Sequence, residues 1–177
     1  MEIRDVLREP LPAVKLVGRR YGNGDRDEHG TFGRYWGEAF ESGYLERLLE
    51  GKAAPGATGD YIGGMRGQDG AFEYWIGVFL APDAQVPEGF QAADIPAGEL
   101  GVCYLYGNEA SGELYGSEAA ELCRAAFASR GWTPAPGAWY FERYNCPRFT
   151  APDEAGNVVL DICAFIGYVF VLHQETG

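Results

Sequence analysis

Apolar and polar positions along this chain switch between a period of two and a period near 3.6, and the switches mark out its elements. Residues 13–21, AVKLVGRRY, favour extended backbone and predict a strand. From Phe32 to Glu50, Tyr35, Ala39, Leu45, Leu48 and Leu49 recur near helical spacing, with Gly43 weakening the middle. Residues 60–66 and 71–81 predict two strands joined by the turn sequence GQDG. Residues 99–107 predict a further strand, and 114–130 an alanine-rich helix stopped by Gly131. The pairs end with strands at 138–146 and 158–168. Residues 1–11 read as a short charged lead, and 82–98 as a polar loop carrying Pro82, Pro87 and Pro96.

The predicted order is strand, helix, strand, strand, given twice. The halves, about 12–82 and 97–168, also share local wording, YWGEAF in the first helix and LYGSEAA in the second. A repeat of about 85 residues is far too long for a solenoid. It predicts an α+β fold: a duplicated β-α-β-β unit with pseudo-twofold symmetry, two antiparallel sheets with helices packed on one side, and a central ligand cleft. The whole chain of 177 residues fits one domain.

Composition narrows the function. Hydrophobic residues make up 46%, enough for a sizeable core, and aromatics 14%, an excess that suggests rings lining a site. The formal net charge of −12, without a basic stripe, argues against nucleic acid and against an anionic membrane surface. Cys103, Cys123, Cys146 and Cys163 are widely spaced, and His29 and His173 are the two histidines, so no metal site is expected. No cofactor is expected either: Walker, G-x-G-x-x-G and H-E-x-x-H patterns are absent, and no histidine suits haem. Residues 1–10 are charged and lack the apolar stretch of a signal peptide, and no apolar run reaches membrane-span length. The expectation is a cytoplasmic protein with reduced thiols, monomer or homodimer.

The segment YWIGVFLAPDAQVPEGFQAADIPAGELGVCYLYG carries a more specific signal. Its Tyr74–Val78, Val86–Phe90 and Ile95–Gly98 resemble the Y-x-x-G-V, V-P-x-G-F and I-P-A-G pattern of the gyrase-inhibitor-like (GyrI-like) small-molecule-binding family. WYFERY at 139–144 is similar to the family strand that carries an acidic residue into the pocket, and VVLDICAFI at 158–166 to its final strand. The resemblance spans about residues 13–168, although Cys163, Ala164 and Phe165 stand where the family commonly ends in I-P. It implies the fold of multidrug-sensing effector domains and of SOUL-type proteins, with apolar or cationic aromatic small molecules as partners. With about a dozen residues before the first strand, no helix-turn-helix domain is expected beside it. Two activities are implied: binding without turnover, or hydrolysis of cyclopropane-bearing toxins.

The candidate site centres on Glu142. In a strand, Tyr140, Glu142 and Tyr144 share one face. A carboxylate buried between two tyrosines has its pKa raised unless a cation or donors compensate, so it can hold a cationic ligand or act as a general base or acid. Val102, Tyr104 and Tyr106 share a face of their strand, as do Phe72, Tyr74, Ile76 and Val78, opposite Glu73, Trp75, Gly77 and Phe79. Which face lines the cleft is left open by sequence. Tyr104 is the expected catalytic partner of Glu142 if there is turnover. Tyr106, Tyr140, Tyr144, Trp75, Trp36, Asp161 and Cys163 complete the expected ligand-binding set, with Asp161 placed near Glu142. The Gly63–Gly64 pair predicts a bulge or a close backbone contact.

Overall fold

A computed structural model describes residues 1–68, 70–134, 137–144 and 146–168. Asp69 of the predicted turn, and residues 169–177 with His173, lie outside these residues. The elements run β1 (Glu2–Leu11), β2 (Val14–Gly22), α1 (Gly33–Ser42), α2 (Tyr44–Leu48), β3 (Tyr61–Gln68), β4 (Ala71–Leu80), β5 (Gln91–Ile95), β6 (Gly98–Asn108), α3 (Ser117–Ala128), β7 (Tyr140–Tyr144), α4 (Pro147–Thr150) and β8 (Asn157–Tyr168).

Gly43, at φ +66°, divides the predicted first helix into α1 and α2, because a left-handed residue cannot continue the ladder. α3 buries Ala119, Cys123 and Phe127, one residue per turn on one face. Gly131, at φ +73°, stops the chain beyond α3, and the Trp132 amide donates back to the Phe127 carbonyl.

The eight strands form one antiparallel sheet in the order β1-β6-β8-β7-β3-β4-β2-β5. Sequence predicted two sheets. The β3–β7 ladder, running from Tyr61–Tyr144 to Met65–Tyr140, joins them at the centre. Two strands also appear where none was predicted. The charged lead is β1, paired with β6 from Glu2–Tyr106 to Leu11–Gly98, and the proline loop contains β5, paired with β2. Both are sheet edges, where one row of backbone groups faces solvent and polar side chains are tolerated, so their alternation is weak.

Both faces of the sheet are buried. One carries the helices over Val17, Ile76, Val78, Leu105, Leu160 and Ile162. The other buries Leu16, Ile62, Trp75, Val102, Phe141 and Cys163, and among the described residues no helix contributes to that cluster. Gly18 and Gly77 face each other across β2 and β4, where the two backbones pass close together. A Cβ on Gly18 would lie 2.1 Å from the Ile76 carbonyl oxygen, and one on Gly77 2.1 Å from that of Val17. Gly77→Ala is therefore expected to destabilise the fold by about 3 kcal/mol, since backbone must move on both strands. A urea-unfolding midpoint unchanged from wild type would contradict this.

Candidate functional site

The two helix layers leave a cavity of about 800 Å³ over the middle of the sheet. Its floor is built from β3, β4, β7 and β8, its walls from α1 and the start of α3, and its end from Phe149 and Thr150 of α4. Glu142 lies on the floor among Tyr74, Tyr140, Tyr144 and Trp36.

The central β3–β7 register places Gly63 directly opposite Glu142. A Cβ there would meet the Tyr74 hydroxyl at 3.0 Å, Glu142 Oε2 at 3.1 Å and Trp36 at 3.4 Å. The glycine thus makes the room in which these side chains converge. The Tyr144 hydroxyl donates to Glu142 Oε2, and the Tyr74 hydroxyl approaches the same carboxylate. Trp36 Nε1 donates to the Tyr74 oxygen at 2.8 Å. Trp36 also meets the Tyr144 ring edge-on at 4.7 Å, and Phe32 stacks on Tyr74 at 4.3 Å.

Glu142 is partly exposed, and as a cavity-lining residue it spends that exposure on the cavity. Loss of hydration raises its pKa to about 7, while the hydrogen bonds from Tyr144 and Tyr74 pull the other way without cancelling it. Burial, and then the nearby carboxylate, hold the Tyr74 and Tyr144 phenols well above their ordinary values, so both remain donors. The Tyr140 ring lines the cavity, but its hydroxyl is buried and has no hydrogen-bond partner among the described residues.

The structure brings Glu142, Tyr140, Tyr144 and Trp36 together and sends five expected residues elsewhere. Tyr104 lies on the opposite face of the sheet, with the guanidinium of Arg148, from α4, 4.5 Å from its ring centre. Tyr106 is tied to the surface by Asp153 and Asn157, beneath Arg4. Trp75 is buried in the second core, its Nε1 donating to Glu73 at 3.2 Å. Cys163 is buried there too, its thiol pushed up to about 12 by burial. Asp161, 1% exposed, alternates away from cavity-lining Ile162 and pairs with Arg143 and Arg148 rather than approaching Glu142. The reason is common to all five: they have the strand parity that points away from the helices.

Conversely, the even-numbered set Phe72 and Tyr74 of β4, with Phe32, Tyr61, Met65 and Tyr115, lines the cavity without having been singled out. The shared face of Phe72 and Tyr74 was readable; its direction was not. The loop before α1 is shaped by Asp27, whose carboxylate accepts from the Thr31 hydroxyl at 2.7 Å and from the His29 and Thr31 amides. These bonds hold its pKa at about 2. Among the described residues, no cluster of three or more His, Cys, Asp and Glu groups suits a metal ion, and no helix is long and apolar enough to cross a membrane.

No family model matches the sequence, and no curated protein matches it. Solved structures do. One is a Staphylococcus aureus MU50 protein provisionally described as a bacterial transcription regulation protein, with TM-score 0.62, 14% identity, and 93% of this chain covering 99% of that one. Another is SAV2435 bound to tetraphenylphosphonium, with TM-score 0.61, 15% identity, and 97% of this chain covering 98% of that one. This chain shares their α+β fold. At such identities the likeness is one of architecture, and the chemistry of the cavity has to be argued from this chain's own residues.

Proposed function

We propose that this chain is a GyrI-like domain, built from two β-α-β-β units, that binds flat, apolar, cationic small molecules in the cavity between its helices. The observation that carries this reading is Glu142, the one carboxylate among the described residues of a floor otherwise made of aromatic rings, Met65 and Ile162, with tyrosine hydroxyls rather than a cation beside it among those residues. A bound cation restores the charge balance that burial removes, and ring faces add cation–π attraction. The cavity volume lies within the roughly 300–1,000 Å³ of drug-sized sites. That a protein of the same fold binds tetraphenylphosphonium is consistent with this reading.

The test is pH-resolved binding of a lipophilic monocation whose own charge is fixed, followed by tryptophan fluorescence. With its pKa near 7, Glu142 is neutral at pH 5.5 and ionised at pH 8. A cation favours the ionised form, so binding releases a proton, and affinity is expected to rise with pH up to tenfold per unit until about pH 7, then level off. A flat pH profile for wild type would sink the proposal. The unliganded protein carries the opposite linkage. A carboxylate whose folded pKa is raised contributes stability that is present below its unfolded value and lost as pH rises through about 7.

A second reading, hydrolysis of cyclopropane-bearing electrophiles, is favoured by the same pKa, which suits a general acid or base at neutral pH. Glu142 would take a proton from water or give one to the departing fragment, with Tyr74 and Tyr144, rather than Tyr104, as the adjacent phenols. Chromatographic loss of such a substrate with wild type, abolished by Glu142→Gln, decides for turnover. Binding with the compound recovered intact decides against it.

A further inference from the structure

Three partly or fully buried carboxylates elsewhere in this protein are paired with arginine. Glu9 meets Arg143 at 2.7 Å, Asp161 meets Arg148 at 2.7 Å, and Glu73 meets Arg66 at 3.0 Å. In the cavity, two carboxylates lack such a partner among the described residues. Glu142 on the floor and Glu109, exposed in the segment between β6 and α3, both line it, and neither has an ion-pair partner among the described residues. Both are approached by tyrosine instead. Tyr144 donates to Glu142, and the Tyr115 side chain makes a polar contact with Glu109. The Tyr115 and Tyr144 rings lie 6.5 Å apart, so the two tyrosines form a bridge of apolar surface with a carboxylate at each end.

The cavity's one arginine among the described residues, Arg26, is already engaged. Its Nε donates to Asn23 at 3.2 Å and its Nη1 to the Gly30 carbonyl at 2.9 Å, and its guanidinium lies 4.8 Å from the Phe32 ring centre. It therefore belongs to the loop before α1 and is not held by either carboxylate.

We infer that the preferred ligands are dications: two positive centres separated by an apolar or aromatic spacer, one at Glu142 on the floor and the other at Glu109 on the rim. This rests on the cavity being a cation site and extends it to a ligand class. The two ends contribute unequally. The floor carboxylate is shielded from water and holds a cation strongly, whereas the rim carboxylate is solvated and screened by salt. A monocation takes the floor, and the second charge adds a smaller, salt-sensitive gain.

The experiment titrates tetraphenylphosphonium and a series of bis(triphenylphosphonium) alkanes of increasing spacer length into wild type, Glu109→Gln and Glu142→Gln at pH 8. An optimal spacer is expected to bind roughly fivefold tighter than the monocation, with the gain shrinking at about 0.5 M salt. Glu109→Gln should remove that gain while lowering monocation affinity far less than Glu142→Gln does. A dication advantage that survives Glu109→Gln, or no advantage at any spacer length, overturns the inference while leaving the floor site intact. Failure of every probe to bind wild type overturns the cation-site reading along with it. Equal thermal midpoints of wild type and Glu109→Gln show that the exposed substitution leaves the fold intact.

Discussion

Glu142→Gln is expected to raise the Kd of a lipophilic monocation about 30-fold at pH 8 and to change it little at pH 5.5. The substitution keeps the shape of the side chain and removes its charge. At pH 8 the wild-type carboxylate is ionised, faces a largely aromatic cavity and has tyrosine donors among the described residues, so a cation bound there gains a partly desolvated charge contact. Losing such a contact costs about 2 kcal/mol, or roughly 30-fold. At pH 5.5 the wild-type group is itself protonated, and the two proteins present nearly the same uncharged floor. The mutant's affinity should therefore be level across the range in which wild type climbs. Neutral aromatic ligands of similar size should bind both proteins alike. Isothermal titration at the two pH values measures this directly. A uniform loss at both would assign Glu142 a packing role in place of an electrostatic one.

The second large effect concerns the other side of the sheet. Asp161→Asn is expected to lower the stability of the fold by about 3–5 kcal/mol, because it breaks a buried ion pair from one side. Asp161 is the one buried charged residue among those described. Arg148 holds it through Nε at 3.2 Å and Nη2 at 2.7 Å, and Arg143 through Nη2 at 3.0 Å. Without it, Arg143 keeps only Glu9, and its Nε already lacks a hydrogen-bond partner among the described residues. The consequence reaches the cavity indirectly. Arg148 belongs to α4, the same short helix that presents Phe149 edge-on to Tyr144 at 5.1 Å. Loosening α4 should thus weaken ligand binding several-fold without altering its pH profile, a combination that separates Asp161 from Glu142. Urea unfolding monitored at several wavelengths tests the first part, and the pH-resolved titration the second. A wild-type unfolding midpoint would show the network to be replaceable.

Six of the eight strands and the two long helices were legible in the sequence because their apolar residues recur at strand or helix period, and Gly131 marked the end of the second helix, whereas Gly43, read as a weakening of one continuous helix, proved to be a break at positive φ. β1 and β5 were not legible. As edges they keep charged and polar residues on a solvated side, and β5 is short and framed by prolines.

The same division runs through the site. Period two is a local property of extended backbone, so sequence alone determined that Tyr140, Glu142 and Tyr144 stand together, and that Tyr104 and Tyr106 share a face, as do Phe72 and Tyr74. Direction is not local. Both faces of this sheet are apolar, so parity reads the same whichever side the helices cover. Only the tertiary structure decided that the even residues of β4 and β7 face the cavity while those of β6 face away. It alone set Gly63 of β3 opposite Glu142 of β7, and carried Trp36 from α1 and Tyr74 from β4 to the same carboxylate. Those partners are many residues apart in the chain, and what brings them together is strand register and helix packing, which no local pattern encodes.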